Sequence, residues 1–202
     1  MDRETRDMLL ETADRFFTER SGRAVVNEVE KGVWPADLWK EIEEMGLPLI
    51  AVPEDKNGAG GTLADMLALL RLAGSHAVPV PLAETALGNL LVAAAGSEPK
   101  PGPATLVLGN LTLSGGRLSG KVERVPFASV ADRFVTVVGN TLAVVTAANA
   151  KVVEFRSLNG KSKRNVSPSM TRPPSEVIKP ATSLESCAIE AMGFPFNVSS
   201  DC

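Results

Sequence analysis

Residues 38–61 read LWKEIEEMGLPLIAVPEDKNGAGG and residues 77–88 read AVPVPLAETALG, and the helix starts and stops in these stretches decide the fold. Trp34-Pro35 opens a helix, because a proline in the first turn gives up an N–H that has no intrahelical acceptor. Leu38, Ile42 and Met45 share one face of that helix, and Gly46 stops it. Leu49-Ile50-Ala51-Val52 is a short apolar run that reads as a strand-like piece. Pro53-Glu54 leads from it into the glycine cluster Gly58, Gly60 and Gly61. Thr62, with Asp65 in capping-box position, starts a further helix carrying Leu63, Met66, Leu67, Leu70 and Ala73. A last helix follows Pro79-Val80-Pro81 and runs to a Gly96 stop, with Leu87, Leu90, Leu91 and Ala94 facing inward. Upstream, Leu9, Ala13, Phe16 and Phe17 mark one face of an opening helix.

Composition changes after Gly96. Ser97-Glu98-Pro99-Lys100-Pro101-Gly102-Pro103 excludes a helix, since its prolines lack the donors a helix needs. Beyond it come short β-rich runs at 105–108, 111–113, 121–125, 133–138 and 141–145. Turns at Gly109-Asn110, Ser114-Gly115-Gly116, Gly139-Asn140 and Asn159-Gly160 separate them, and Gly139-Asn140 between two valine-rich runs is the clearest hairpin. The expected class is α+β multidomain: a helical domain over 1–96, a linker over 97–103, an antiparallel β-domain over 104–182 and an irregular tail over 183–202.

The chain has 202 residues, 44% hydrophobic and 22% charged, with a net charge of −3. That balance is ordinary for a globular protein and gives no basic footprint for nucleic acid. No apolar run approaches the roughly eighteen residues a membrane helix needs. The charged start, Met1-Asp2-Arg3-Glu4, does not read as a signal peptide, so a cytoplasmic location is expected. Cys187 and Cys202 form neither a disulfide framework nor a metal set, and no metal site is expected. The triplets at Asn110, Asn165 and Asn197 are chance glycosylation matches without a secretory signal.

The ordered run from Trp34 to Leu87 resembles the N-terminal helical domain of the acyl-CoA dehydrogenases, and the helical-then-β order matches that family's layout. The resemblance implies an oxidoreductase of fatty acid metabolism: a flavoprotein that uses FAD for α,β-dehydrogenation of an acyl-CoA thioester. A glutamate removes the α-proton, the flavin takes the β-hydride, and electrons leave to an electron-transfer flavoprotein. The family continues into a C-terminal helical bundle that carries or borders the base. Nothing after residue 182 reads as that bundle, so no catalytic residue is carried over. The chain is expected to be truncated and inactive alone, and to occur as a homo- or hetero-oligomer. The alternative is a non-catalytic subunit pairing with a complete acyl-CoA dehydrogenase.

Two family motifs meet the flavin. One falls near 96–110, where Gly96-Ser97-Glu98-Pro99 matches it in fragments. The other precedes Ala131-Asp132 and falls on Arg124-Val125-Pro126-Phe127-Ala128, so Val125, Pro126 and Phe127 are the candidate cofactor contacts by resemblance. The glycine cluster lacks dinucleotide-fingerprint spacing and reads as a tight loop. Glu54 reads as a solvated loop carboxylate, and Glu84 as a first-turn carboxylate favoured by the helix dipole. His76, the single histidine, reads as a helix C-terminal residue, and Trp34 and Trp39 as packing anchors. Lys161-Ser162-Lys163-Arg164 reads as a solvated hairpin.

Overall fold

A computed structural model describes residues 1–156 and the strands at 162–167 and 176–178, with side chains described through residue 150. Cys187, Cys202, the 183–202 tail, the Asn159-Gly160 turn and the side chains of Lys161–Arg164 lie outside the described residues.

The helical part comprises α1 (Arg3–Arg20), α2 (Arg23–Glu30), α3 (Ala36–Glu44), α4 (Leu63–Ser75) and α5 (Leu82–Ala94). Helix α1 starts where the Asp2 carboxylate accepts the Thr5 N–H at 2.9 Å. Helix α2, which the sequence reading did not place, has no side-chain cap and no fully buried residue, and its Val25 packs against the helical core. Helix α4 carries the full capping box: the Thr62 hydroxyl accepts the Asp65 N–H, and Asp65 accepts the Thr62 N–H. The core of this part joins Phe17 of α1, Trp39 and Ile42 of α3, and Met66 and Leu69 of α4. Of the apolar positions on α4, Leu67 is 54% exposed, while Leu69 is fully buried.

The run Leu49–Val52 is not a strand. Gly46, in the left-handed region at φ 69°, and Pro48 turn the chain into a short 3-10 helix at Leu47–Leu49. Carbonyls of Leu49, Ile50 and Val52 then accept the N–H groups of Ala59, Gly61 and Gly60 at 2.9–3.1 Å. A side chain at Gly58 would overlap the Val52 carbonyl, and one at Gly61 the Ile50 carbonyl. The glycine cluster is a tight loop that satisfies the backbone of a buried apolar turn.

The β part comprises β1 (Ala104–Leu106), β2 (Leu111–Ser114), β3 (Arg117–Gly120), β4 (Arg133–Val138), β5 (Thr141–Thr146), β6 (Lys151–Arg156), β7 (Ser162–Ser167) and β8 (Glu176–Ile178). The main sheet has the order β1-β4-β5-β8, while β2-β3 and β6-β7 are separate hairpins. Pairing is antiparallel except between β1 and β4, which run parallel. The β4–β5 hairpin closes on Gly139-Asn140, with Val138 opposite Thr141. The expected strand at 121–125 is irregular instead. Arg124 lies in the left-handed region at φ 62°, and Pro126 has no N–H to give a ladder.

The two parts pack directly against each other. Val92 and Ala95 join Ala104, Val135, Leu142 and Val144 in one apolar cluster. A Cβ at Gly88 would lie 3.3 Å from a Val135 methyl, so the bare glycine lets α5 approach the sheet. The Thr85 hydroxyl donates to the Ala104 carbonyl and accepts the Ala104 N–H, both at 3.0 Å. Glu43 of α3 accepts the Gly102 N–H at 2.6 Å, and Arg133 donates to the Gly102 carbonyl at 2.7 Å. Burial lowers the Arg133 pKa, an effect that Asp132 and Glu43 oppose.

Candidate functional site

A cleft of about 300 Å³ opens where the first turn of α5 faces the chain between β3 and β4. Ala83, Glu84 and Leu87 of α5 line it together with Leu106 and the exposed Leu108. The segment Val122–Pro126 completes the lining. That segment is held by side chain and strain together. The Thr105 hydroxyl, fully buried on β1, donates to the Pro126 carbonyl at 2.8 Å. Arg124 and Phe127, at φ 62° and 51°, bracket Val125-Pro126. Left-handed backbone at such residues costs on the order of 1 kcal/mol or more and persists where the surroundings dictate it.

Two of the three candidate cofactor contacts come to this place. Val125, 4% exposed, sits mainly in the β core and reaches the cleft, and the exposed Pro126 lines it. Phe127 does not line it; its carbonyl accepts the N–H groups of Val130 and Ala131 instead. The fragments of the first family motif, Gly96 to Pro99, are not part of the lining, although Glu98 borders a small cavity beside Arg133.

Glu84 stands in the first turn of α5, as local reading expected, but it also lines this cleft. It is half-buried against the apolar lining, and burial raises its pKa above the ordinary value, with its own backbone N–H pulling slightly the other way. Among the described residues its carboxylate meets no other donor and no cation. No signal in α5 alone could reveal this, because the other wall lies some forty residues downstream. The neighbouring charges are satisfied: Glu123 pairs with Lys121 at 3.1 Å, and Arg124 has a partner within the chain.

The remaining candidates are structural. Glu54 is an exposed loop carboxylate whose side chain lies over Gly60. His76 follows the last turn of α4, meets Asp14 of α1 at 2.8 Å and lies beside the Phe17 ring. Trp34 and Trp39 pack with ring centroids 6.1 Å apart. Among the described residues, no group of three or more His, Cys, Asp or Glu could hold a metal ion, and no helix is long and apolar enough to cross a membrane.

The lining suits part of a flavin. Its apolar walls would take the face of a flat ring or an acyl chain. They do not suit the diphosphate of FAD, because Arg124 is the single cation among the lining residues. The N–H groups of the first turn of α5, which would otherwise attract an anion, carry the Glu84 carboxylate among them.

Residues 3–100 match the family model for the acyl-CoA dehydrogenase N-terminal domain. Two acyl-CoA dehydrogenases of Mycobacterium tuberculosis, IpdE2 and FadE34, are each 34% identical to this chain, over 96 and 151 residues. Those matches cover 46% and 65% of this chain but only 30% and 20% of the relatives. The fold is similar to that of a Tcur3481-Tcur3483 steroid ACAD variant, with TM-score 0.72 and 22% identity over 93% of this chain and 61% of that one. The ChsE4-ChsE5 complex from Mycobacterium tuberculosis follows at 0.69 and 18%, covering 95% of this chain and 60% of that one. XiaF from Streptomyces, in complex with FADH2, gives 0.63 and 18%, with 87% and 52% covered. The chain spans less than a third of the length of the curated relatives it matches. With the domain model on residues 3–100, the relatives at 34% identity and the shared helical-then-sheet fold, the chain is similar to the acyl-CoA dehydrogenases, and residues 3–100 match that family's N-terminal domain.

Proposed function

We propose that the cleft between α5 and Val122–Pro126 is one wall of a flavin and acyl site for FAD-dependent α,β-dehydrogenation of an acyl-CoA thioester. A complete family subunit closes the other wall. The observation that supports this reading is the cleft itself: it joins α5, whose sequence matches the family, to Val122–Pro126, and its lining is mainly apolar with Glu84, Glu123 and Arg124 as the charged members. Bound flavin supplies the acceptor for the β-hydride. This chain's own residues exclude water from the reacting face through Leu87, Leu106 and Val125, and Thr105 holds Pro126 in place behind it. The diphosphate contacts and the catalytic base come from the partner.

A hetero-oligomer in the cytoplasm, passing electrons to an electron-transfer flavoprotein, completes the proposal. The pairing of ChsE4 with ChsE5 supports it by analogy of fold. The division into a helical domain over 1–96 and a β-domain over 104–182 belongs to the same proposal. The test is co-expression with a complete acyl-CoA dehydrogenase, followed by gel filtration and flavin absorbance. The expected result is a stoichiometric complex that carries flavin and reduces an electron acceptor, while this chain alone carries little. A chain that alone holds one FAD and turns over acyl-CoA would refute the shared site.

A further inference from the structure

The cleft holds one group that the proposed reading leaves unused. Glu84 projects from the first turn of α5 among Leu87, Leu106 and Val125. It is half-buried, and its carboxylate has no partner among the described residues beyond its own backbone N–H. A carboxylate moved out of water without a donor costs free energy, and a ligand donor removes part of that cost. The charges on the facing wall do not do so, because Glu123 is matched by Lys121 and Arg124 by a partner that is not Glu84.

We propose that Glu84 is the specificity-determining residue of this cleft, accepting a hydrogen bond from an N–H or O–H donor on an otherwise apolar ligand. The inference rests on the cleft being the ligand wall described above. An apolar body satisfies Leu87, Leu106 and Pro126, and a single donor satisfies Glu84. An anion placed there meets a like charge. Two ligands of the proposed reaction carry this chemistry: a flavin ring, through its ring N–H, and an acyl thioester bearing a hydroxyl.

The experiment compares the full chain, co-purified with its partner subunit, with the Glu84→Gln and Glu84→Leu variants. Four probes are titrated by fluorescence or calorimetry: riboflavin, N3-methylriboflavin, a hydroxyacyl-CoA and the unsubstituted acyl-CoA of equal length. A hydrogen bond to a charged acceptor predicts that wild type prefers the donor-bearing member of one pair by about tenfold or more. Glu84→Leu abolishes that preference while leaving the donor-free probe bound as before, and Glu84→Gln keeps part of it. The pair that shows the effect identifies the source of the donor. Thermal melts confirm that the variants fold, and Gln is close enough in shape to serve if Leu does not. If wild type binds the probes but Glu84→Leu discriminates as wild type does, the role of Glu84 is refuted and the cleft reading stands. If no probe binds wild type, both fall.

Discussion

Replacing Thr85 by valine removes one oxygen atom and tests how α5 is fixed to the sheet. Thr85 is 1% exposed, and its hydroxyl both donates to the Ala104 carbonyl and accepts the Ala104 N–H. Ala104 begins β1, the edge strand of the main sheet, paired on its other side with β4. The two groups that Thr85 satisfies would otherwise be a bare strand edge buried under a helix. Valine keeps the shape but leaves a buried donor and a buried acceptor unpaired, at about 1–3 kcal/mol each. The added methyl returns at most about 0.8 kcal/mol. A net loss of roughly 2–4 kcal/mol follows if the groups are only partly rehydrated. At about 2–4 °C per kcal/mol for a chain of this size, the melting temperature falls by roughly 4–16 °C. Thermal denaturation followed by circular dichroism is the assay, with Thr85→Ser as the control that keeps the hydroxyl. A valine variant melting within about a degree of wild type, or a serine variant losing as much as valine, would refute the reasoning.

Leu142→Ala empties a fully buried position on β5 and is expected to cost about 2–5 kcal/mol in urea unfolding. Asn89→Ala removes the buried donor to the Pro48 carbonyl, at 3.1 Å in the structure, and should cost about 1–3 kcal/mol by the same measurement. Glu84→Gln should change the pH dependence of stability. Burial raises the folded-state pKa of Glu84, so the folded protein holds that proton more tightly than the unfolded chain. Wild type therefore loses stability as pH rises from the ordinary value of 4.5 through the raised one, and the glutamine variant does not. The variant should gain on wild type across that window in melts at stepped pH. Asp65 has the opposite sign. Burial works to raise its pKa, but hydrogen bonds from Thr62 and the charge of Arg6 outweigh it and lower it. Its contribution is present above the ordinary carboxylate pKa and is lost as pH falls through the lowered one, so Asp65→Asn should melt lower than wild type near neutrality and converge with it in acid.

Features whose causes lie within a few residues were legible from the chain alone. The Thr62–Asp65 capping box, the Gly46 stop and the Gly139-Asn140 hairpin each rest on local backbone chemistry, and each stands where the pattern put it. The family-bearing order of helices followed from them. Features decided by distant partners were not legible. Leu49–Val52 has the composition of a strand, but the Ala59–Gly61 loop captures its carbonyls and makes it a buried turn. In α5 the leucine positions 87, 90 and 91 suggested the inner face. Close approach to Val135 at Gly88 instead buries Thr85, Gly88, Asn89 and Val92 and leaves those leucines half-covered. The cleft follows the same logic. Val125 and Pro126 were named by resemblance as candidate cofactor contacts, whereas Glu84 comes to line the same cleft only because α5 packs on the sheet. Sequence by itself determined the capped helices, the glycine stops and the β4–β5 hairpin, because caps, turns and periodicity are short-range. Only the tertiary structure decided which faces are buried and which carboxylate lacks a donor, because burial is a property of what the rest of the chain brings alongside.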